Sequence, residues 1–157
     1  MDESVERKER IVVGVDGSEA SIKALEWAVN QAGLTGAKVE AVQAWEVPAM
    51  YGTGMMVLPG GEEFDAGARK SLDASVSRAL GDRRDVEIEP HTVTGHAAKV
   101  LIDMAQGADL LVVGSRGHGG FVGALVGSVS HYCVSHAECP VVVVRHWEPK
   151  DAADTAA

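Results

Sequence analysis

No apolar run reaches the roughly 18 residues that a membrane-spanning helix requires. The longest uncharged, fairly apolar stretch, Gly117 to Ser135, carries His118, His131 and five glycines, so no membrane partner is expected. Basic charge is scarce as well: 14 Lys and Arg against 23 Asp and Glu give a formal net charge of −9. A general nucleic-acid binder would show a basic excess or stripe, so that class is excluded. A phosphate ligand is not excluded, because a local cluster of backbone N–H groups can bind an anion inside an acidic chain. Cysteine is limited to Cys133 and Cys139, with no CxxC or HxxxH spacing nearby. A disulfide is not expected in a cytosolic chain, and two small buried or half-buried thiols are the main reading. A metal site joining them to His131 or His136 is the alternative. Met1 to Arg10 is charged throughout and shows no apolar core of a signal peptide, which implies a cytoplasmic protein.

What is present suits one domain with one core: 157 residues, 46% of them hydrophobic. The expected layout is a charged N-terminal extension (1–9), a domain (10–146) and a disordered C-terminal tail (147–157). Four short runs read as strands: Arg10 to Asp16, Ala37 to Trp45, Ala108 to Gly114 and Pro140 to Arg145. Their unbroken Val, Ile and Leu suit strands covered on both faces, as in parallel sheets. A fifth, Asp85 to Val93, alternates and contains Pro90, which places it at a sheet edge. Between the strands the period turns helical. Ser18 to Gln31 has Ser18 or Ser21 as N-cap and Gly33 as stop; Glu62 to Leu80, His96 to Ala105, and a helix opened by Gly127 or Ser128 follow. Strands alternating with such helices mean an α/β fold with a mainly parallel sheet and helices on both faces. The connection Glu46 to Gly61, with Met50, Met55 and Met56, reads as a loose excursion, a flap over a ligand or an interface element.

Open parallel sheets bind ligands beyond the carboxyl ends of their strands, so three strand ends are the candidates. Asp16-Gly17-Ser18 reads equally as a site acid or as a plain turn in which Asp16 or Ser18 caps the next helix. Gln43-Ala44-Trp45 offers little side-chain chemistry, so a ligand there would meet main-chain N–H and C=O groups. The third, from Gly114-Ser115-Arg116-Gly117 through Gly127-Ser128-Val129-Ser130, follows the strongest strand and runs into a helix. Glycine admits close backbone approach, and a helix start presents free N–H groups at a positive dipole end. The Ser128 and Ser130 hydroxyls could add bonds to phosphate. The familiar fingerprints do not fit: there is no Lys between Val100 and Glu148 for a Walker A motif. Gly117-His118-Gly119 fails GxGxxG at Val122, and His118-Gly119-Gly120 has no G-x-S-x-G elbow to serve.

The spacing Gly114-x2-Gly117-x9-Gly127-Ser128 resembles the G-2x-G-9x-G-(S/T) signature of the universal stress proteins. The opening Ile11-Val-Val-Gly-Val-Asp16-Gly-Ser18, the Gly95 turn and the closing Cys139-Pro-Val-Val-Val-Val144 extend the resemblance over Arg10 to Arg145. It implies a Rossmann-like adenine-nucleotide-binding fold, an open five-stranded parallel sheet of order 3-2-1-4-5. It implies ATP as ligand, with Mg2+ or Mn2+. Asp16, with Gly17 and Ser18 in its turn, would lie beside the ribose or a bound metal, and the main chain at Ala44 would hold the adenine. Gly114 and Gly117, with Ser115 and Arg116 between them, would line the ribose and near phosphates. Gly127, Ser128, Val129 and Ser130 would wrap the phosphate chain. Arg116 and His118 occupy variable positions and carry no catalytic assignment. The resemblance also implies a homodimer through Val141 to Val144. A regulatory, stress-response nucleotide binder with weak or no catalysis is the leading expectation. A slow Mg-dependent ATPase or phosphoryl or nucleotidyl transferase is the second, and a cyclic AMP-binding or non-nucleotide interaction module the third.

Overall fold

The computed structural model describes residues 7–47, 61–115 and 126–145. Arg116, Gly117, His118, the three loop methionines, most of the N-terminal extension and the tail lie outside them. The elements alternate as the periodicity predicts: β1 (Arg10–Gly14), α1 (Glu19–Thr35), β2 (Lys38–Trp45), α2 (Gly61–Leu80), β3 (Ile88–Thr94), α3 (Ala97–Met104), β4 (Leu110–Gly114), α4 (Ser128–His136) and β5 (Val141–Val144). All five strands run parallel in the order β3-β2-β1-β4-β5.

Alternation of side chains along the strands splits the core in two. Val13, Val39, Ala41 and Val112 face Leu25 and Ala28 of α1 and Leu72 of α2. Val12, Val42, Leu111 and Val113 face Leu101 of α3 and Cys133 of α4. The central strands are covered on both sides, which is why they read as unbroken apolar runs. β3 and β5 are the edges, and Pro90, which has no N–H to give to a further strand, sits on β3 as expected.

Several boundaries differ from the sequence reading, and two of the differences have a visible cause. α1 does not stop at Gly33: it continues to Thr35 and ends at Gly36, whose φ of 79° gives the left-handed cap and whose N–H bonds the Ala32 carbonyl at 2.8 Å. Gly33 is small for another reason. A β-carbon there would fall 2.0 Å from the Arg83 guanidinium, which is held by Asn30 and Asp85. β3 begins at Ile88 rather than Asp85, because Asp85 is engaged by Arg83 ahead of the strand.

Candidate functional site

Strand order reverses between β1 and β4: β2 and β3 lie to one side, β5 to the other. The crevice beyond the carboxyl ends of β1 and β4 is therefore the topological switch point of the sheet. Leaving β1, Gly17 takes φ 83° and turns the chain into α1. Ser18 is the N-cap, its hydroxyl accepting from the Ser21 N–H at 3.2 Å. The exposed Asp16 carboxylate accepts from the Ser18 N–H at 2.9 Å through Oδ1, and the Asp16 N–H bonds Ser21 Oγ at 3.2 Å. The capping reading of this turn thus holds: Ser18 caps, Asp16 shapes the turn, and the Asp16 carboxylate faces solvent at the switch point.

The end of β4 is packed tightly against that same turn. A β-carbon on Gly114 would meet the Ala20 carbonyl carbon and oxygen, both at 2.8 Å. Gly114 is therefore glycine because α1 presses on it, a need of the fold that holds with or without a ligand. Ser115 is buried, and its N–H bonds the Val144 carbonyl of β5 at 2.8 Å. The chain re-enters the described structure at Val126, and the Gly127 N–H donates to the Ser115 carbonyl. Ser130, only 4% exposed, donates its hydroxyl to the Gly114 carbonyl. The two serines expected to reach for phosphate therefore part company: Ser128 is exposed, whereas the Ser130 proton is committed inside the protein.

Gly127 caps α4 in an extended conformation, φ −70° and ψ 167°, and no side chain caps the helix. The first backbone bond is His131 N–H to Gly127 C=O at 2.9 Å. The N–H groups of Ser128, Val129 and Ser130 precede any intrahelical acceptor and have no partner among the described residues. Three open donors at a positive helix end are the chemistry that an anion would need, and a negative charge placed there gains roughly 0.3–1 kcal/mol when exposed.

At the end of β2 the ladder leaves a second set of open main-chain groups. Val15 N–H bonds the Val42 carbonyl, while the Trp45 carbonyl bonds the Gly95 N–H on the β3 side. Alternation then turns the Ala44 N–H and C=O toward β1, beyond the last β1–β2 partners, Gly14 and Val42. No backbone group among the described residues meets them. Trp45 proves less inert than its sequence context suggested. Its Nε1–H bonds Asp65 at 2.9 Å and its ring stacks on Phe64 with centroids 6.4 Å apart, tying β2 to the start of α2.

A second polar cluster, unforeseen from the sequence, lies near the opposite end of the sheet. Ligand atoms of Glu40, Glu89 and His91 fall within 4.8 Å of one another. Arg10 holds Glu40 at 2.7 Å and also bonds the Met104 and Gln106 carbonyls at the end of α3, while Lys38 pairs with Glu89. Two cations thus already neutralise the two carboxylates, and the cluster pins edge strand β3 to β2 and β1. Every member sits at alternate positions of one sheet face, a register only the strand pairing reveals. Cys133 is buried and Cys139 half-buried, both free thiols. Burial pushes the Cys133 thiol up to about 11. His136 stacks on Tyr132 and lies 3.0 Å from the Tyr132 carbonyl through Nδ1.

The model of the universal stress protein family matches residues 8–145. A universal stress protein of Mycobacterium tuberculosis is 33% identical over 138 residues, 86% of this chain and 45% of that protein. The chain thus spans under half the length of this curated relative. A universal stress protein solved in complex with cAMP superposes with a TM-score of 0.57 at 26% identity, covering 88% of this chain and 97% of that one. An Arabidopsis thaliana protein of the same family, solved with AMP bound, gives a TM-score of 0.59 at 25% identity, covering 93% and 99%. Among the described residues, no helix is long and apolar enough to cross a membrane.

Proposed function

This chain belongs to the universal stress protein family, and on that premise we propose that it binds an adenine nucleotide, ATP in the cell, at the switch point of its sheet, as a regulatory protein with little or no catalysis. The observation that carries the reading is the uncapped first turn of α4. Gly127 contributes no side chain, leaving the Ser128, Val129 and Ser130 amides open to a phosphate chain, with the exposed Ser128 hydroxyl beside them. The open N–H and C=O of Ala44 suit the edge of an adenine ring, which offers both acceptors and a donor. AMP and cAMP in the two similar proteins support this ligand class. Asp16, exposed and oxygen-bearing, is the group that would hold Mg2+ or Mn2+ against the phosphates. In this reading Gly17, Gly114, Ser115, Arg116 and Gly117 form the walls on either side.

The same reading makes the protein a cytoplasmic homodimer. β5 ends the sheet with one unpaired edge, and Val141–Val144 are only half-buried in the single chain. An uncovered apolar edge invites a second copy.

Titration calorimetry of the full chain with ATP, ADP, AMP and cyclic AMP tests the proposal. Binding of at least one, abolished by Gly127→Val with the far-UV spectrum unchanged, is the expected result. Gly127 has an ordinary extended backbone, so valine adds bulk at the phosphate position without backbone strain. No heat with any of the four, or normal binding by Gly127→Val, overturns it. Multiple-turnover release of ADP or AMP, lost in Asp16→Ala, would replace it with the slow-enzyme reading.

A further inference from the structure

We propose that the Ser130 side chain is a positioning group, which holds the start of α4 against the end of β4 and so sets where the phosphate-binding amides stand, rather than giving its hydroxyl to the phosphate. The proposal rests on the nucleotide-binding reading above.

The Ser115 N–H is directed to β5, so alternation turns the Gly114 carbonyl toward β1. The last β1–β4 pair is Val13 and Val112, so β1 has left before it could donate to Gly114. The next β1-side donor, the Asp16 N–H, is directed to Ser21 Oγ instead. Gly114 is half-buried, and a carbonyl shielded from water costs free energy if left without a donor. The Ser130 hydroxyl supplies it from the third residue of α4. Beside it the Gly127 N–H bonds the Ser115 carbonyl. Two adjacent bonds therefore join α4 to β4 through residues that flank the intervening segment, and neither requires a ligand. Their consequence is preorganisation: the Ser128 and Val129 amides are fixed before a ligand arrives, so less ordering is lost on binding. The Ser130 hydroxyl, with its one proton given to Gly114, has none to offer a phosphate oxygen.

The test compares wild type, Ser130→Ala and Ser130→Thr by amide hydrogen exchange without nucleotide and by titration calorimetry with AMP and adenosine. In Ser130→Ala the Gly127 amide should exchange faster, by a larger factor than the Val112 amide at the centre of β4. AMP affinity should fall by about three- to tenfold, the scale of one neutral hydrogen bond. Adenosine affinity should stay within error, which a general loss of stability would not arrange. Ser130→Thr, keeping the hydroxyl, should restore both readouts. Unchanged Gly127 exchange in Ser130→Ala overturns the proposal, whatever happens to affinity, because a ligand contact leaves the empty protein untouched. Faster exchange with unchanged AMP affinity also overturns it. If wild type itself binds no nucleotide, the functional reading falls and this inference with it, an outcome distinct from a wild type that binds and a variant that binds equally.

Discussion

Gly114→Ala adds one methyl group where β4 meets the first turn of α1. The new carbon would lie 2.8 Å from both the carbonyl carbon and oxygen of Ala20 and 3.1 Å from its β-carbon. Carbon contacts are favourable near 3.5–4.0 Å, so the overlap approaches an ångström, and two of the three atoms are main chain. Relief requires α1 or β4 to move. Overpacking of this kind costs about 1–3 kcal/mol. Gly114 is not among the glycines with positive φ, so alanine adds no backbone strain, and the stiffer unfolded chain returns about 0.4–1 kcal/mol. The net loss is about 1–2 kcal/mol, a fall of roughly 3–8 °C in Tm for a domain of this size. Thermal and urea unfolding without nucleotide measure it. Gly14→Ala is the internal control: its methyl meets only side chains, the Leu101 methyls at 2.7 and 3.3 Å and a Val113 methyl at an ordinary 3.5 Å, and a side-chain tip can swing away. Gly14→Ala should therefore cost less. A Gly114→Ala protein as stable as wild type when empty, or a costlier Gly14→Ala, would refute the packing account and return Gly114 to a purely ligand-facing role.

Gly67, exposed in the interior of α2 with nothing near its missing β-carbon, is the opposite case; Gly67→Ala should raise stability by about 0.5–1 kcal/mol in urea unfolding. Arg10→Met strands Glu40, whose side chain is 10% exposed, and two carbonyls at the end of α3; the expected loss is about 2–4 kcal/mol, and Glu40→Gln in the same chain should recover part of it. A loss under about 1 kcal/mol would mean that Lys38, 3.8 Å from Glu40, suffices on its own. The Cys133 thiol, raised in the folded protein from its ordinary value near 9 to about 11, should lose stability only on the alkaline side. Its contribution is complete below pH 9 and drains away as pH climbs toward 11, because the unfolded chain ionises first. Urea midpoints of wild type and Cys133→Ser over that range check it, and at pH 8 a thiol reagent should label Cys139 well before Cys133.

Much of the chain announced itself locally. Ile11-Val12-Val13 and Leu110-Leu111-Val112-Val113 read as doubly covered strands because nearly every side chain meets a helix, so no polar face interrupts them. Pro90 named its own place at an edge, and Gly127-Ser128 marked a helix start with no bulky cap. Errors arose where a residue answered to a distant partner. Gly33 looked like a helix stop, but it is small to admit Arg83, and Gly36 with positive φ is the stop. For Gly114 and Ser130, which carried the family motif, the structure adds contacts within the fold that the sequence did not show: one is pressed by Ala20 and the other is bonded to the Gly114 carbonyl.

By itself the sequence determined which segments are strands and helices, because those follow from the period of apolar side chains over a few residues. It also placed glycine and serine at the mouth of α4, since a helix start is a local event. Only the tertiary structure decided which main-chain groups stay open there. That depends on where β1 leaves the sheet relative to β2 and β4, which opens Ala44 and gives the Gly114 carbonyl to Ser130. Hydrogen-bond partners are fixed by register between strands distant in the chain, and register is a property of the packed sheet rather than of any one stretch within it.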